Sequence, residues 1–129
     1  MKKKLFLVVL LVLIAFMMHA IFSQPGLDDF ETNFKEITRV RNENNTGPVE
    51  RVYLVAVDKL NQKEMEQYGK LMPYSKLGNT KVFFFYQSKD FPQEAQLGDV
   101  NFSSKFNEFC LAKYEKRFGY EVLILNPFR

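Results

Sequence analysis

The sequence predicts an α+β fold, or a small α/β fold, with a mixed sheet of about four strands built on one parallel β–α–β unit. Two short apolar runs, at 52–57 and 81–87, are typical of buried strands because both alternating sets of side chains are apolar. The amphipathic segment at 61–72 between them has the spacing of a helix. A strand, a crossover helix and a second strand of one sheet form a parallel pair.

The helix predicted at 61–72 has clear start and stop signals. Asn61 is a preferred N-cap residue, and Glu64 has the spacing of its partner in a capping box. Pro73 cannot continue a helix and marks its end. Gly69 inside the segment weakens the helix by about 1 kcal/mol relative to Ala, so we interpret it as a sign of close packing against a strand.

Residues 1–23 predict a signal peptide or an N-terminal membrane anchor. Three lysines at positions 2–4 precede a long apolar run, which is the order of an export signal. Cleavage after Ser23 would leave Gln24 as the new N-terminus, whereas the uncleaved run is near the shortest length that crosses a bilayer. Either outcome predicts an exported chain that is periplasmic, secreted or anchored to the outer face of a membrane.

The net positive charge of the chain belongs to this N-terminal segment. The chain has 18 Lys and Arg against 15 Asp and Glu, so removing Lys2, Lys3 and Lys4 leaves 15 against 15. Because the remainder has no net charge, we do not expect a nucleic-acid partner. The remainder is long enough for one domain with a core of its own.

We divide the rest of the chain into a helix and loop at 24–48 and a single small α/β domain at 49–129. In the first part, apolar residues recur at three- and four-residue spacing and favour a helix from near Asp28 to Val40. The alternation within 37–41 favours a strand instead, as a second possibility. A loop rich in Asn, Gly and Pro follows.

The C-terminal part allows two interpretations. Aromatic residues between 102 and 118 have helical spacing, and Gly119 would end that helix. Alternatively, 103–107 forms a single turn, and 109–115 pairs as a hairpin with 120–125. Both interpretations place a strand at 120–125.

The residue inventory excludes several chemistries. His19 is the only histidine and lies in the N-terminal apolar segment. The rest of the chain therefore lacks the base of Ser–His and Cys–His catalytic pairs, and it lacks an ordinary zinc ligand set. It also has no phosphate-binding glycine loop. We predict no cofactor and no metal, and we name no catalytic residue.

Two residues remain as candidate functional residues. Asp58 follows the first strand of the β–α–β unit, where open α/β sheets place ligand contacts. Cys110 is the only cysteine and is either a reactive thiol or, between Phe109 and Leu111, a buried core residue.

These observations predict a small exported or membrane-anchored domain without enzymatic activity that binds a protein partner in the cell envelope or outside the cell. One alternative is a small exported enzyme or inhibitor that uses carboxylate chemistry, with Asp58 as its first candidate residue. Another alternative is an anchored structural subunit of a membrane complex, which would keep residues 1–23.

Overall fold

The computed structural model describes residues 1–22, 30–42, 47–73 and 77–128. Five strands form one mixed sheet, preceded by a long N-terminal helix and interrupted by a short helix and a 3₁₀ helix. In chain order the elements are α1 (Lys2–Phe22), β1 (Phe34–Arg41), β2 (Glu50–Val57), α2 (Gln62–Leu71), β3 (Asn79–Tyr86), the 3₁₀ helix (Ser104–Phe109), β4 (Cys110–Arg117) and β5 (Tyr120–Leu125).

The sheet confirms the predicted α+β fold with one parallel pair. Its strand order is β1-β2-β3-β4-β5, so every strand pairs with its neighbours in sequence. Strands β2 and β3 are parallel and are connected by α2, whereas the other three pairings are antiparallel. The predicted sheet of about four strands contains a fifth strand, β1, at one edge.

Helix α2 begins and ends where the sequence predicts. The Asn61 side chain accepts a hydrogen bond from the Glu64 amide at 3.1 Å, as expected of an N-cap. The Glu64 carboxylate accepts from the Asn61 side-chain amide at 3.0 Å. Gly69 is buried against Tyr114 of β4, and a Cβ atom on it would lie 2.4 Å from the Tyr114 ring. The close packing predicted from Gly69 is therefore confirmed.

The core has two layers, one on each face of the sheet. On one face, α2 covers alternate residues of the central strands, which include Val55, Phe84 and Tyr114. On the other face, the connection from β3 to β4 covers the intervening residues, among them Leu54, Phe83 and Phe85. Both faces of β2 and β3 are consequently buried, as their continuous apolar sequences predict.

The helix predicted between Asp28 and Val40 is wrong over its described part, because Phe34–Arg41 is a strand paired with β2, and the strand considered for 37–41 is part of it. Asp28 itself lies outside the described residues. The pairing with β2 skips Ile37, which bulges between Glu36 and Thr38. A bulge adds one residue to the alternation of a strand. Ile37 and Val40 are three residues apart, as on one side of a helix, and the bulge lets both contact the same face of the sheet, whereas Phe34 contacts the opposite face.

The structure decides between the two interpretations of the C-terminal part in favour of the hairpin. Strands β4 and β5 are antiparallel, and Arg117 pairs with Tyr120 across a two-residue turn. Gly119 in that turn has φ +73°, a backbone conformation that favours glycine. The segment before β4 is the 3₁₀ helix, in place of a continuous α-helix.

Candidate functional site

Asp58 lies at the carboxyl end of β2, as predicted, and has a structural hydrogen bond there. Its Oδ1 accepts from the backbone N–H of Asn33 at 2.9 Å, which fixes the residue that leads into β1. Asp58 is exposed. The described residues contain no group of three or more His, Cys, Asp or Glu side chains that could hold a metal ion.

Cys110 lies in the core at the start of β4. It is 2 % exposed, and its thiol donates a hydrogen bond to the Ala112 carbonyl oxygen at 3.4 Å. Burial raises the pKa of the Cys110 thiol to about 12, and the hydrogen bond to Ala112 only partly opposes this effect. Of the two interpretations of this residue, the geometry supports the core residue and not the reactive thiol.

A groove with three arginines is a site that the sequence alone did not predict. It has a volume of about 470 Å³ and lies beside the paired strands β1 and β2, close to the end of α2. Arg41 lies directly opposite Arg51 in the antiparallel register, and Arg39 lies opposite Tyr53. Its lining residues are Arg39, Val40, Arg41, Arg51, Tyr53 and Pro73. We call this site the arginine groove.

The bulge at Ile37 determines which side of the sheet these arginines occupy. Before the bulge, Phe34 contacts the α2 side of the core, and Glu36 lies on the same side. After it, the alternation is reversed, so that Val40 packs on the far side and Arg39 and Arg41 lie on the α2 side. Bulges frequently redirect side chains next to functional sites.

Tyr53 forms the floor of the arginine groove. It is 5 % exposed, and burial raises the pKa of its hydroxyl, while the charge of Arg51 acts in the opposite direction. The nearby Tyr68 hydroxyl has its pKa raised to about 12 by burial and, to a smaller extent, by the charge of Glu36. Both hydroxyls therefore keep their protons at neutral pH.

One acidic residue lies at the edge of the arginine groove. Glu36 forms an ion pair with Arg39 at 4.0 Å, and the side chain of Arg39 is 72 % exposed. Three arginines line the groove, and Glu36 is the acidic partner of Arg39. Two like charges placed directly opposite one another destabilise an antiparallel pair.

A second groove lies on the other face of the molecule, where the connection from β3 to β4 passes over the sheet. Its volume is about 510 Å³. The charged residues in its lining are Glu94 and Lys105, beside the aromatic rings of Phe102 and Phe106. It contains one charge of each sign and has no preference for an anion or a cation.

Helix α1 has the length and composition of a membrane span or of a signal sequence. Residues Lys2–Ile21 are long and apolar enough to cross a membrane, and none of this segment is buried within the protein. A signal sequence near the N-terminus has the same properties. The helix thus supports a role as signal peptide or anchor, while the cleavage site predicted at Ser23 lies outside the described residues.

In comparisons with known proteins, no family model, no curated protein and no solved structure is significantly similar to this chain.

The sequence contains one signal that could have indicated the arginine groove. Arg39, Arg41 and Arg51 flank the loop that joins the first two strands. A hairpin would bring them together, but a helix at 28–40 would not. The helical interpretation of this region therefore concealed the site.

Proposed function

We propose that this protein is a small non-enzymatic binding domain that α1 directs to, or holds at, the outer face of a membrane. The observation that carries this proposal is the apolar surface of α1, none of which is buried within the protein. Exposed apolar surface on this scale is unfavourable in water. Lipid or the export machinery provides the apolar surroundings that the folded domain does not.

We infer the lack of enzymatic activity from the contacts that the described side chains form. Asp58 holds the Asn33 amide and Cys110 is buried, so both candidate residues are occupied by structural contacts. The arginines of the arginine groove are among the charged side chains that the fold brings together. Arginine binds anions well but is a poor proton-transfer group, since it keeps its proton throughout the physiological pH range.

Localisation is the first test of the proposal. Native protein is isolated separately from the membrane, the soluble envelope and the cytoplasmic fractions, and its intact mass is measured in each. A soluble envelope species that starts near Gln24 would identify a released domain, and a full-length membrane species would identify an anchored one. A chain confined to the soluble cytoplasm would contradict the proposal.

The alternative of a carboxylate enzyme requires a separate test at Asp58. The Asp58→Asn variant keeps an oxygen that can accept from the Asn33 amide, so its thermal stability should change little. A binding domain should retain its partner in this variant. An enzyme that depends on the Asp58 carboxylate would lose its activity while it remains folded.

The alternative of a structural subunit predicts a stable complex. Gentle detergent extraction, followed by size-exclusion chromatography, would then yield the full-length chain together with stoichiometric membrane partners. A free binding domain would elute alone or with a partner that dissociates on dilution.

A further inference from the structure

We propose that β5 pairs antiparallel with β5 of a second copy of this chain, so that the two sheets join into one continuous sheet. The free backbone groups of β5, its apolar composition and its self-complementary register carry this proposal. Such a dimer goes beyond the binding function proposed above, and it forms whether or not α1 is cleaved.

Strand β5 lies at one edge of the sheet, and among the described strands it pairs with β4 alone. Just beyond the registered pairs of the two strands, the Asn126 N–H donates to the Leu111 carbonyl oxygen at 2.9 Å. Because hydrogen-bonded pairs alternate along an antiparallel ladder, every second residue of β5, counted back from Asn126, directs its backbone groups to β4. The residues between them direct their N–H and C=O groups away from the sheet, and these are Glu121, Leu123 and Leu125.

The other edge strand, β1, has features that protect an edge from pairing. It contains the bulge at Ile37, and four of its eight residues are charged. Bulges and charged side chains both oppose the addition of another strand. Strand β5 has a continuous register with β4 and one charged residue, Glu121, among its six. We therefore expect pairing at β5 and not at β1, so that association stops at the dimer.

The side chains of β5 leave apolar surface open beside its free backbone groups. Ile124 is 41 % exposed on one face of the strand, and Leu125 is 38 % exposed on the other. Asn126, with φ 50°, turns the chain at the end of β5, and Phe128 then packs on Phe83 with ring centroids 6.4 Å apart. The described residues after β5 thus lie over the sheet and leave the edge open.

The strand is complementary to itself in a register centred on Leu123. The outward backbone groups of Leu123 then bond to those of Leu123 in the second copy, and Glu121 pairs with Leu125 on either side. This register pairs all three outward residues of each strand. On the other face, Val122 lies opposite Ile124. No two like charges lie opposite one another, and the same patch serves both copies, as a two-fold interface requires.

The single charge of β5 is compatible with this pairing. Lys70 of α2 lies 3.9 Å from the carboxylate of Glu121 and 3.9 Å from that of Glu66. The Glu121 carboxylate therefore has a partner within its own chain before a second copy approaches. A charge that is already paired is less costly to remove from water than an isolated one.

The first test compares Leu125→Glu with Leu125→Lys in the full-length protein. Both variants lose the same leucine, but position 125 lies opposite Glu121 of the second copy, twice in each dimer. Like charges there oppose pairing and unlike charges favour it. The dissociation constant of the dimer is measured by sedimentation equilibrium in density-matched non-ionic detergent. We expect it to be about tenfold higher for Leu125→Glu than for Leu125→Lys.

Val100→Glu is the matched control, because Val100 is an exposed apolar residue in the connection from β3 to β4. Its dissociation constant should equal that of the unmodified protein. Equal weakening by Val100→Glu and Leu125→Glu would overturn the proposal, since the effect would then be a general response to charge. Equal dissociation constants for the two Leu125 variants would overturn it as well, and so would an unmodified protein that stays monomeric.

A cysteine trap tests the register with milder substitutions. Chains with Val122→Cys are mixed with chains with Ile124→Cys and oxidised. The two positions lie opposite one another with Cα atoms about 4.5 Å apart, which suits a disulfide. Two copies of the same variant place their cysteines about 7–8 Å apart, which is too far. We expect severalfold more mixed disulfide than either symmetric product, while the buried Cys110 stays unreacted. Equal yields of all three products, or none, would overturn the register.

Hydrogen exchange separates the other ways of covering this edge. In the proposed dimer, the outward amides of Glu121, Leu123 and Leu125 are protected, and they lose this protection on dilution to the monomer. A dimer held by α1 would leave these amides unprotected, and protection at all dilutions by a strand of a co-purified protein would identify a different occupant. Either result would overturn the proposal and would leave the localisation experiment unaffected.

Discussion

The hydroxyl of Thr32 donates a hydrogen bond to Oε1 of Glu64 at 2.6 Å. The same carboxylate accepts from the backbone amides of Glu31 at 2.8 Å and Thr32 at 3.0 Å. Glu64 lies in the first turn of α2, where a negative charge is favoured by the helix dipole. One carboxylate therefore fixes both the start of α2 and the segment that leads into β1.

Glu64 should make the protein sensitive to acid. The Thr32 hydroxyl, followed by the backbone amides, holds the pKa of Glu64 below its ordinary value of 4.5. A lowered pKa in the folded state stabilises the fold above the unfolded-state pKa, and this stabilisation is lost as the pH falls through the lower value. Glu64→Gln should reduce stability at neutral pH and flatten the decline in unfolding free energy between about pH 5 and pH 3. Urea denaturation at a series of pH values measures both effects.

Glu66→Gln is the matched control for this prediction. Glu66 lies in the same helix and forms an exposed ion pair with Lys70 at 3.9 Å. Exposed pairs contribute little, so this variant should retain the acid dependence of the unmodified protein. A Glu64→Gln variant with an unchanged acid profile would contradict the role assigned to Thr32.

Gly69→Ala should destabilise the protein although alanine is the better helix former. The helix gains about 1 kcal/mol, but the new Cβ would lie 2.4 Å from the fully buried ring of Tyr114. Overpacking of this kind costs about 1–3 kcal/mol, so we expect a net loss of stability in thermal and urea unfolding. The exposed Gln62→Ala in the same helix should change stability by less than about 0.5 kcal/mol. A more stable Gly69→Ala would show that the Tyr114 ring can move aside.

Phe84→Ala should be among the most damaging single substitutions. Phe84 has 0 % exposure on the α2 side of the sheet and packs edge-on against Tyr68 and Phe34. Removing a buried phenylalanine costs about 3–5 kcal/mol. Phe118→Ala is the control, because Phe118 is 75 % exposed in the hairpin turn and should change stability by less than about 0.5 kcal/mol. A loss below about 1 kcal/mol at Phe84 would refute its burial.

Cys110 should resist thiol reagents while the protein is folded. Its thiol is buried and has a pKa of about 12, so the reactive thiolate is scarce at neutral pH. Iodoacetamide labelling followed by mass spectrometry should be slow for the native protein and fast in denaturing urea. Rapid labelling under native conditions would mean that β4 opens locally far more often than the rest of the core.

The central β–α–β unit was predictable because its signals are local and do not conflict. Continuous apolar sequence identifies β2 and β3, and Asn61 and Pro73 bound the helix between them. In β1 the spacing of the apolar residues indicated a helix although the segment is a strand. The bulge at Ile37 is the reason, because it shifts the alternation of the strand by one residue. No periodicity rule identifies a bulge without knowledge of the partner strand.

The candidate site was less predictable than the fold. Asp58 was placed correctly at the end of β2, but its hydrogen bond to the Asn33 amide depends on the path of the chain before β1. The arginine groove depends on the register of β1 against β2, which pairs Arg41 with Arg51. Register is a long-range property, and a shift of one residue would send these side chains to the other face.

The strand order of the sheet, which follows the order of the chain, has a consequence for biosynthesis. A ribosome delivers the chain from its N-terminus, so each strand meets its hydrogen-bonding partner as soon as the next strand has emerged. The two long connections are those from β2 to β3 and from β3 to β4, and the first of them is shortened locally by α2. If the sheet grows by adding one strand at a time, only the strand added last has an edge that waits for its next partner. The aromatic strand β3 is therefore exposed at such an edge only until β4 pairs with it, which limits its aggregation with other nascent chains.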